Sequence, residues 1–415
     1  MTDQHNGVRG RFGRRRLLGG AGLLGLGATT GALTATQARS GGAVRTVADE
    51  QRAAVQVARS FHGAHQRGIL DSAPANLIFV GYDLSPNTQP KIRDSLRILL
   101  RDWSAAAATA MAGQPVGRLD LTAGLGPAGL TVTIGIGASA LTKAGLSDRI
   151  PDALAPLPAF PGEKLDPARS DGDLGVQVCA EDPVVAAAAA RALSNIARGT
   201  LVKPRWVQRG FLRSAAASTR PDATPRNLMG QVDGTNNPKP TDPGFDQAVW
   251  AADPAWMRGG SYLVCRRIRM LLEKWENQPL DAQERVIGRR KNTGAPLSGG
   301  DERTPPDFTA LAQSGQPLIP QSAHVRIAHP DFNKGARMLR RGYSYDDGYD
   351  KTGADAGLFL QAFQADPHQA FVPVQRRMTD LDALVAFVRH EASALFAVPP
   401  GASQGGYVGE LLLEQ

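Results

Sequence analysis

Two kinds of hydrophobic pattern alternate along the first half of the chain. Between residues 89 and 112, apolar side chains recur every three or four positions, which is the spacing of an amphipathic helix. Shorter apolar segments on either side alternate with polar residues, as strands do. The pattern predicts strands at residues 75–84, 130–136, 173–180 and 201–213, and helices at 89–112, 138–145 and 183–197. This β-α-β-β-α-β order is typical of a ferredoxin-like domain.

The second half repeats this order less regularly, after a loop rich in Pro, Ser and Thr near residues 214–225. Strands are predicted at 261–272, 324–328, 339–345 and 358–364, and helices at 281–290 and from Thr379 to about residue 394. An irregular stretch at residues 291–322 has a length that is usually functional or disordered. We therefore predict an α+β protein with two ferredoxin-like domains, at residues 39–220 and 221–415.

The first 38 residues have the features of an export signal. Residues 14–18, Arg-Arg-Arg-Leu-Leu, fit a twin-arginine pattern, and Thr36-Gln37-Ala38 forms a small-residue cleavage pattern. The apolar run between them is long enough to suggest a membrane span, but glycines and threonines interrupt it, which favours a signal peptide. Twin-arginine signals export folded proteins, often with a cofactor in place. We expect a cofactor protein without a membrane span, in the periplasm, the cell envelope or the extracellular space.

Charge and cysteine content narrow the function further. The formal net charge is +8, and the leader's five arginines and one aspartate account for four of these charges. The mature chain has no basic stripe with interleaved aromatics, so we expect no nucleic-acid partner. Its two cysteines, Cys179 and Cys265, lack metal-ligand spacing and are expected to be buried thiols.

A short polar loop carries the clearest candidate chemistry. Residues 230–234 read Gly-Gln-Val-Asp-Gly, and Thr-Asn-Asn-Pro follows them. The two glycines allow a tight bend that holds the backbone close to a flat ligand. A carboxylate held there, that of Asp233, can shuttle a proton. By itself, however, the segment is also an ordinary Asp-Gly turn.

The seven histidines leave the choice of an iron ligand open. His5 lies in the leader, and the others are His62, His65, His324, His329, His368 and His390. A histidine near an apolar strand is most often a hydrogen-bonded structural residue. Spacing alone does not single out a ligand.

Several segments together resemble one family, the dye-decolorizing (DyP-type) haem peroxidases. Residues 226–238 resemble its GxxDG signature, and Ala-His-Val-Arg at residues 323–326 resembles the segment that carries its proximal histidine. The Arg-Arg-Gly-Tyr-Ser-Tyr segment at 340–345 resembles the segment of its distal arginine. Further similar elements lie at residues 65–69, 287–297 and 399–407, so the resemblance spans nearly the whole mature chain in the expected order.

The resemblance implies a complete site built around one haem b per chain, in the second domain. His324 would be the proximal iron ligand, Asp233 the distal acid–base residue and Arg340 the distal cation; His329 would not be a ligand. Gly234, Thr235, Leu358 and Leu360 would line the haem, although Phe359 leaves the register of that strand open. Asp366 is the candidate carboxylate partner of His324. Because relatives often form dimers or larger assemblies, a homo-oligomer, in the simplest case a dimer, is expected.

The function implied is reduction of hydrogen peroxide with oxidation of dyes, phenolics or other one-electron donors. Because an aspartate base stays ionised in mild acid, an acidic activity optimum is expected. Bulky dyes would be oxidised through surface tryptophans or tyrosines. The twin-arginine leader points to the exported subgroup that includes deferrochelatase/peroxidase proteins. The alternative is therefore a haem-handling protein for iron acquisition, which releases iron from haem or oxidises ferrous iron for an uptake system. A chlorite-splitting haem protein would not need the Asp233–Arg340 pair.

Overall fold

The structure is a computed structural model, and it describes residues 56–85, 92–116, 122, 124–198, 202–213 and 224–414. The export signal expected at residues 1–38 lies outside these described residues, as does most of the loop near 214–225. All described residues fall within one compact unit, Arg45–Gln415. Within the described ranges, no helix is long and apolar enough to cross a membrane.

The first half forms an antiparallel sheet with the strand order β4-β1-β3-β2. Its strands are β1 (Asn76–Leu84), β2 (Thr131–Ile136), β3 (Leu174–Ala180) and β4 (Val202–Phe211). Its helices are α1 (Arg67–Leu70), α2 (Ile92–Met111), α3 (Ala138–Lys143) and α4 (Pro183–Arg198). The Asp182 carboxylate accepts from the first backbone N–H groups of α4 and caps it. The long helices pack on one face of the sheet, where Trp103 of α2 is fully buried and donates to the Leu193 carbonyl of α4.

The second half repeats the topology, with the order β8-β5-β7-β6. Its strands are β5 (Ser261–Met270), β6 (Leu339–Asp350), β7 (Gly353–Gln364) and β8 (Val388–Val398). Its helices are α5 (Phe245–Val249), α6 (Leu272–Glu276), α7 (Leu280–Ile287), α8 (His324–Ile327), α9 (Phe371–Leu381) and α10 (Glu410–Leu413). Short 3₁₀ helices are Ser147–Arg149, Asp152–Leu154, Pro167–Arg169, Ala255–Met257, Pro330–Phe332 and Ala383–Phe387. The predicted α+β class with two ferredoxin-like β-α-β-β-α-β units is confirmed.

The two sheets join into a closed barrel. One seam is the pair Ile136–Ala397 between β2 and β8, and the other is the pair Phe211–Ser344 between β4 and β6. Aromatic side chains from both sheets fill the interior, among them Phe79, Tyr343, Phe359, Phe363 and Phe396. Cys179 and Cys265 lie there too as buried free thiols, which confirms the expectation for them.

Two predicted elements are wrong. Residues 324–328 form one helical turn, closed by the bond from the Ala328 N–H to the His324 carbonyl at 3.0 Å, and Pro330 follows. The helix expected from Thr379 to about residue 394 ends at Leu381, because residues 388–398 pair with β5 as strand β8. Alanines in that stretch suggested a helix, but strand pairing overrides the local preference. The irregular stretch 291–322 has no helix or long strand and holds a small bridge between Leu311 and Pro317.

Candidate active site

Asp233 is held by the glycine-bounded loop that the sequence singled out. Gly230 and Gly234 have φ angles of +78° and +120°, which residues with a side chain rarely adopt. A Cβ atom at Gly230 would also meet the Lys291 side chain at 2.7 Å. The Asp233 N–H donates to the Pro225 carbonyl at 2.9 Å and closes the loop. The tight bend predicted for this segment is therefore present.

Asn227 fixes the Asp233 carboxylate from one side. Its Oδ1 accepts from the N–H groups of Met229 at 3.0 Å and Gln231 at 3.3 Å. These two contacts orient the amide, so its Nδ2 donates to Asp233 Oδ2 at 3.3 Å. Asn227 therefore restricts the rotation of the Asp233 carboxylate.

Glu302 supports the other end of the loop from within the irregular stretch 291–322. The Thr235 hydroxyl donates to Glu302 Oε1 at 3.1 Å, and the Thr224 hydroxyl donates to the same atom. Arg289, which is buried, donates to the Glu302 carbonyl at 2.8 Å. One carboxylate thus bridges residues on both sides of Asp233.

Arg340 comes from β6 and faces Asp233. Its Nη1 lies 4.0 Å from Asp233 Oδ1, and both side chains are about one-third exposed, at 34% and 33%. Strand alternation places the next residue, Arg341, on the opposite face, where it is 6% exposed and donates to the Asp71 carbonyl. Arg341 is therefore buried, whereas Arg340 stays partly exposed beside Asp233.

His324 lies at the start of α8 with a carboxylate behind it. Its Nδ1 is 2.6 Å from Asp382 Oδ2, and Asp382 is 2% exposed whereas His324 is 29% exposed. The other oxygen, Asp382 Oδ1, accepts from the Leu384 N–H at 2.8 Å and caps the 3₁₀ helix that follows. No described residue hydrogen-bonds Nε2 of His324. Because Asp382 engages Nδ1, Nε2 is the ring nitrogen that is available to bind a metal.

The turn of His324 lies near the segment of Asp233, because Val325 packs against the apolar cluster that contains Met229. Burial opposes a charge on the His324 imidazole, but the Asp382 carboxylate outweighs burial, so the pKa of His324 is raised. Asp233 raises this pKa further and Arg340 lowers it. The His324–Asp382 pair and the Asp233–Arg340 pair therefore act on each other, although they come from four separate segments.

The prediction that Asp366 is the carboxylate partner of His324 is wrong. Asp366 Oδ1 accepts from the N–H groups of His368 at 2.7 Å and Gln369 at 3.3 Å, and its Oδ2 accepts from the Gln369 side chain. These bonds hold the turn before α9. Asp382 has the contact that was assigned to Asp366, and it lies 58 residues beyond His324 in the chain. Nothing in the local pattern marked Asp382.

Leu358 and Leu360 lie on the face of β7 that Arg340 also occupies. Residues opposite each other on antiparallel strands point to the same side, and the pairs are Arg340–Ala362, Gly342–Leu360 and Ser344–Leu358. Phe359 points the other way, into the barrel interior, where it packs near Phe79 and Trp206. The register left open by the sequence is thus settled for the strand. The roles of Leu358, Leu360, Gly234 and Thr235 toward a haem stay predictions.

The other described histidines have structural contacts. His65 stacks on Trp250 with ring centroids 3.7 Å apart, and His62 packs edge-on against Phe61. His329 accepts from the Asp331 N–H, and His368 bonds to the Ala155 carbonyl. Burial beside Arg266 lowers the pKa of His390 to about 3. None of these contacts joins them to the Asp233–Arg340 pair.

The donor set fits a haem better than a bare metal ion. Across the described parts of the chain, no group of three or more His, Cys, Asp or Glu side chains is placed to bind a metal. Haem brings four nitrogen ligands of its own and needs one axial ligand from the protein. His324, with Nδ1 held by Asp382, has the geometry of such a ligand, and Asp233 and Arg340 face each other as a pair of polar groups.

Replacing Asp382 with Asn should lower haem affinity by about 10- to 100-fold, because an amide no longer fixes the tautomer that leaves Nε2 unprotonated. The measurement is a haem titration of the apoprotein, followed by the Soret band. Asp366→Asn is the matched control and should titrate like the wild type. Equal affinities for the Asp382 variant and the wild type would contradict the role assigned to this contact.

The sequence matches two family models, described as Dyp-type peroxidase, N-terminal, over residues 66–212 and Dyp-type peroxidase, C-terminal, over residues 224–403. A dye-decolorizing peroxidase from Thermobifida fusca is 50% identical over 364 residues, or 85% of this chain and 84% of that protein. A deferrochelatase from Escherichia coli is 33% identical over 432 residues, or 99% of each chain. A solved structure of a DyP-type peroxidase from Streptomyces coelicolor has a TM-score of 0.84 at 48% identity, covering 88% of this chain and 99% of that chain.

Proposed function

Since this chain belongs to the Dyp-type peroxidase family, we propose that it reduces hydrogen peroxide at a b-type haem, with Asp233 and Arg340 as catalytic residues. Members of this family bind haem. The observation that carries the proposal is that the turn of His324 and the segment before Asp233 pack on one apolar cluster, through Val325 and Met229. Asp382 lies behind the histidine, and Arg340 faces the aspartate. The first pair supports haem binding, and the second supports peroxide chemistry.

His324 would hold the haem through Nε2. Asp382 accepts the Nδ1 proton and increases the electron density on the imidazole, which favours oxidised iron. Leu358 and Leu360 would provide an apolar wall on the face that they share with Arg340. When bound, the haem supplies the electrons that reduce peroxide and later regains them from donor molecules.

Asp233 would transfer a proton between the two oxygens of the peroxide. Its carboxylate accepts a proton from one peroxide oxygen and delivers it to the other oxygen, which leaves as water. Asn227 prevents the carboxylate from turning away, because its oriented amide holds Oδ2. Oδ1 then remains on the side that faces Arg340.

Arg340 would stabilise charge as the O–O bond breaks. Negative charge develops on the leaving oxygen before it is protonated, and a guanidinium held nearby stabilises that charge. Arg340 is suited to this because its planar guanidinium presents several N–H donors in a fixed arrangement. Its partial exposure leaves its N–H groups accessible to a small ligand.

Dyes, phenolics and other one-electron donors are the proposed reducing substrates. Donors too large for the site would react at an aromatic side chain on the surface. Most tryptophans and tyrosines are buried core residues. Tyr349, near the end of β6, is 85% exposed and is the most exposed tyrosine or tryptophan among the described residues, so it is the proposed surface site.

Iron release from haem is the second candidate function. The deferrochelatase relative aligns over 99% of this chain, so the alignment includes most of residues 1–38, where the sequence predicts a twin-arginine signal. An exported protein of this kind could supply an iron-uptake system from the periplasm, the cell envelope or the extracellular space. The same histidine and the same fold serve either function, so the fate of the bound iron separates the two.

The test is to titrate the mature protein with haem and then add hydrogen peroxide and a reducing donor. A Soret band that shifts with peroxide and returns with donor over many turnovers supports the peroxidase, whereas accumulation of iron-free porphyrin supports iron release.

His324→Ala should lower haem affinity more than the loss of a residue behind the ligand does, and that loss is expected to cost about 10- to 100-fold. His329→Ala is the control and should bind haem normally. Normal binding by the His324 variant would refute the ligand assignment.

A further inference from the structure

The side chain of Asn237 pairs with both backbone groups of Arg340. Asn237 Nδ2 donates to the Arg340 carbonyl at 2.8 Å, and the Arg340 N–H donates to Asn237 Oδ1 at 2.8 Å. A side-chain amide that makes both bonds acts like one residue of an additional strand. It attaches the loop of Asp233 to the strand of Arg340 at the residue that carries the cation.

At Arg340, one edge of β6 is open to a contact of this kind. Along the opposite edge, β6 pairs with β7, and Arg340 lies opposite Ala362. In antiparallel sheets, the backbone groups of alternate residues point away from the neighbouring strand. The strand on the remaining side, β4, meets β6 only at the Phe211–Ser344 pair among the described residues. Asn237 therefore occupies a place that no strand fills.

The connection from Asp233 to Asn237 is short and closed. The Asn237 N–H donates to the Gly234 carbonyl at 3.0 Å and forms a turn immediately after Asp233. Pro238, which is buried, follows. The loop therefore has little freedom to move Asp233 independently of Asn237.

We propose that Asn237 is a positioning residue that sets the separation of Asp233 and Arg340 by joining the loop to β6. Asn237 itself touches neither reacting atom. The inference rests on the proposed roles of Asp233 and Arg340 in peroxide reduction. Misplacing a catalytic group by about 1 Å can cost on the order of 100-fold in rate, so the loss of this attachment should be measurable.

The experiment compares Asn237→Ala with Asn236→Ala in the haem-loaded enzyme. Asn236 is the exposed neighbour in the same turn and makes no hydrogen bond with a described residue. For Asn237→Ala, we expect kcat/KM for hydrogen peroxide to fall by about 10- to 100-fold. The value of kcat/KM for a reducing donor should stay within about twofold, since the donor step does not use the Asp233–Arg340 pair. Asn236→Ala should leave both constants unchanged.

A second variant, Asn237→Asp, separates the hydrogen bond from the space that the side chain fills. The carboxylate has nearly the same size and can accept from the Arg340 N–H, but it cannot donate to the Arg340 carbonyl. We expect it to lose peroxide reactivity to a similar extent as Asn237→Ala. In a crystal structure of either Asn237 variant without haem, the distance between Asp233 Oδ1 and Arg340 Nη1 should be larger than 4.0 Å.

Three results would overturn the inference. The first is a peroxide constant for Asn237→Ala within twofold of Asn236→Ala, and the second is an unchanged Asp233–Arg340 distance. The third is an equal fall in the peroxide and donor constants, which would indicate a general folding defect. Asp233→Asn and Arg340→Leu are measured alongside. If these two also retain peroxide reactivity, the proposed function fails, whereas if they lose it and Asn237→Ala does not, only the inference fails.

Discussion

Replacing Asp233 with Asn should lower kcat/KM for hydrogen peroxide by about 10²- to 10⁴-fold, the range that a positioned acid–base group contributes. Asparagine has nearly the same shape as aspartate, and its carbonyl oxygen can still accept from Asn227. The loop should therefore keep its conformation while the proton acceptor is lost. Stopped-flow measurement, with the haem content matched to the wild type, gives the rate constant for the reaction with peroxide directly.

Asp331→Asn is the control for this variant, because Asp331 is a carboxylate of the same half with a 73% exposed side chain. It should react with peroxide like the wild type. The pH profile is a second check, since an aspartate base predicts an acidic optimum. A flat wild-type profile from about pH 4 to about pH 8, or a fully active Asp233 variant, would contradict the assignment of the base.

Replacing Arg340 with Leu should lower peroxide reactivity by about 10²- to 10³-fold, the effect of removing one donor that stabilises developing charge. Haem should stay bound, because the contacts that position His324 come from Asp382 and from α8 rather than from β6. The backbone bonds of Arg340 to Asn237 do not depend on its side chain. Peroxide kinetics and the haem-to-protein ratio are measured on the same sample.

Arg337→Leu is the matched control, since Arg337 is an exposed arginine three residues before Arg340. It should leave peroxide kinetics unchanged. If Arg340→Leu loses haem rather than peroxide reactivity, the side chain belongs to cofactor binding and its catalytic role is wrong. An unchanged peroxide constant with full haem content would refute the role as well.

Short contiguous motifs explain why part of the site could be predicted from the sequence. Asp233, His324 and Arg340 each lie in a segment of a few residues that resembles the same family. In the structure, Arg340 faces Asp233, and Val325 beside His324 packs against the cluster that contains Met229. Their partners carry no such signal. Asp382 lies in an ordinary Leu-Asp-Ala segment 58 residues after His324, and only the fold places it there. A long-range carboxylate–histidine contact of this kind cannot be inferred from local spacing.

The fold was predictable wherever the hydrophobic period was unambiguous. The first half has clear alternation and a clear helical period, and its elements agree with the predicted ones within a few residues. The strand at 358–364 is apolar on both faces at residues 358–360. Which of these side chains points into the barrel therefore followed only from the pairing with β6. Strand β8 was missed for another reason: its alanines suggested a helix, and only the pairing with β5 makes the segment a strand.

The stretch 291–322 has two parts that differ in how much alteration they should tolerate. The part around Glu302 bonds to both flanks of the Asp233 loop, so shortening it would disturb the site. The tip around Gly315 lies between Leu311 and Pro317, and an added side chain at Gly315 would meet no atom within 4 Å. Protein engineers who want to attach a tag, an affinity peptide or an electrode linker to this enzyme therefore have a natural insertion point at the tip.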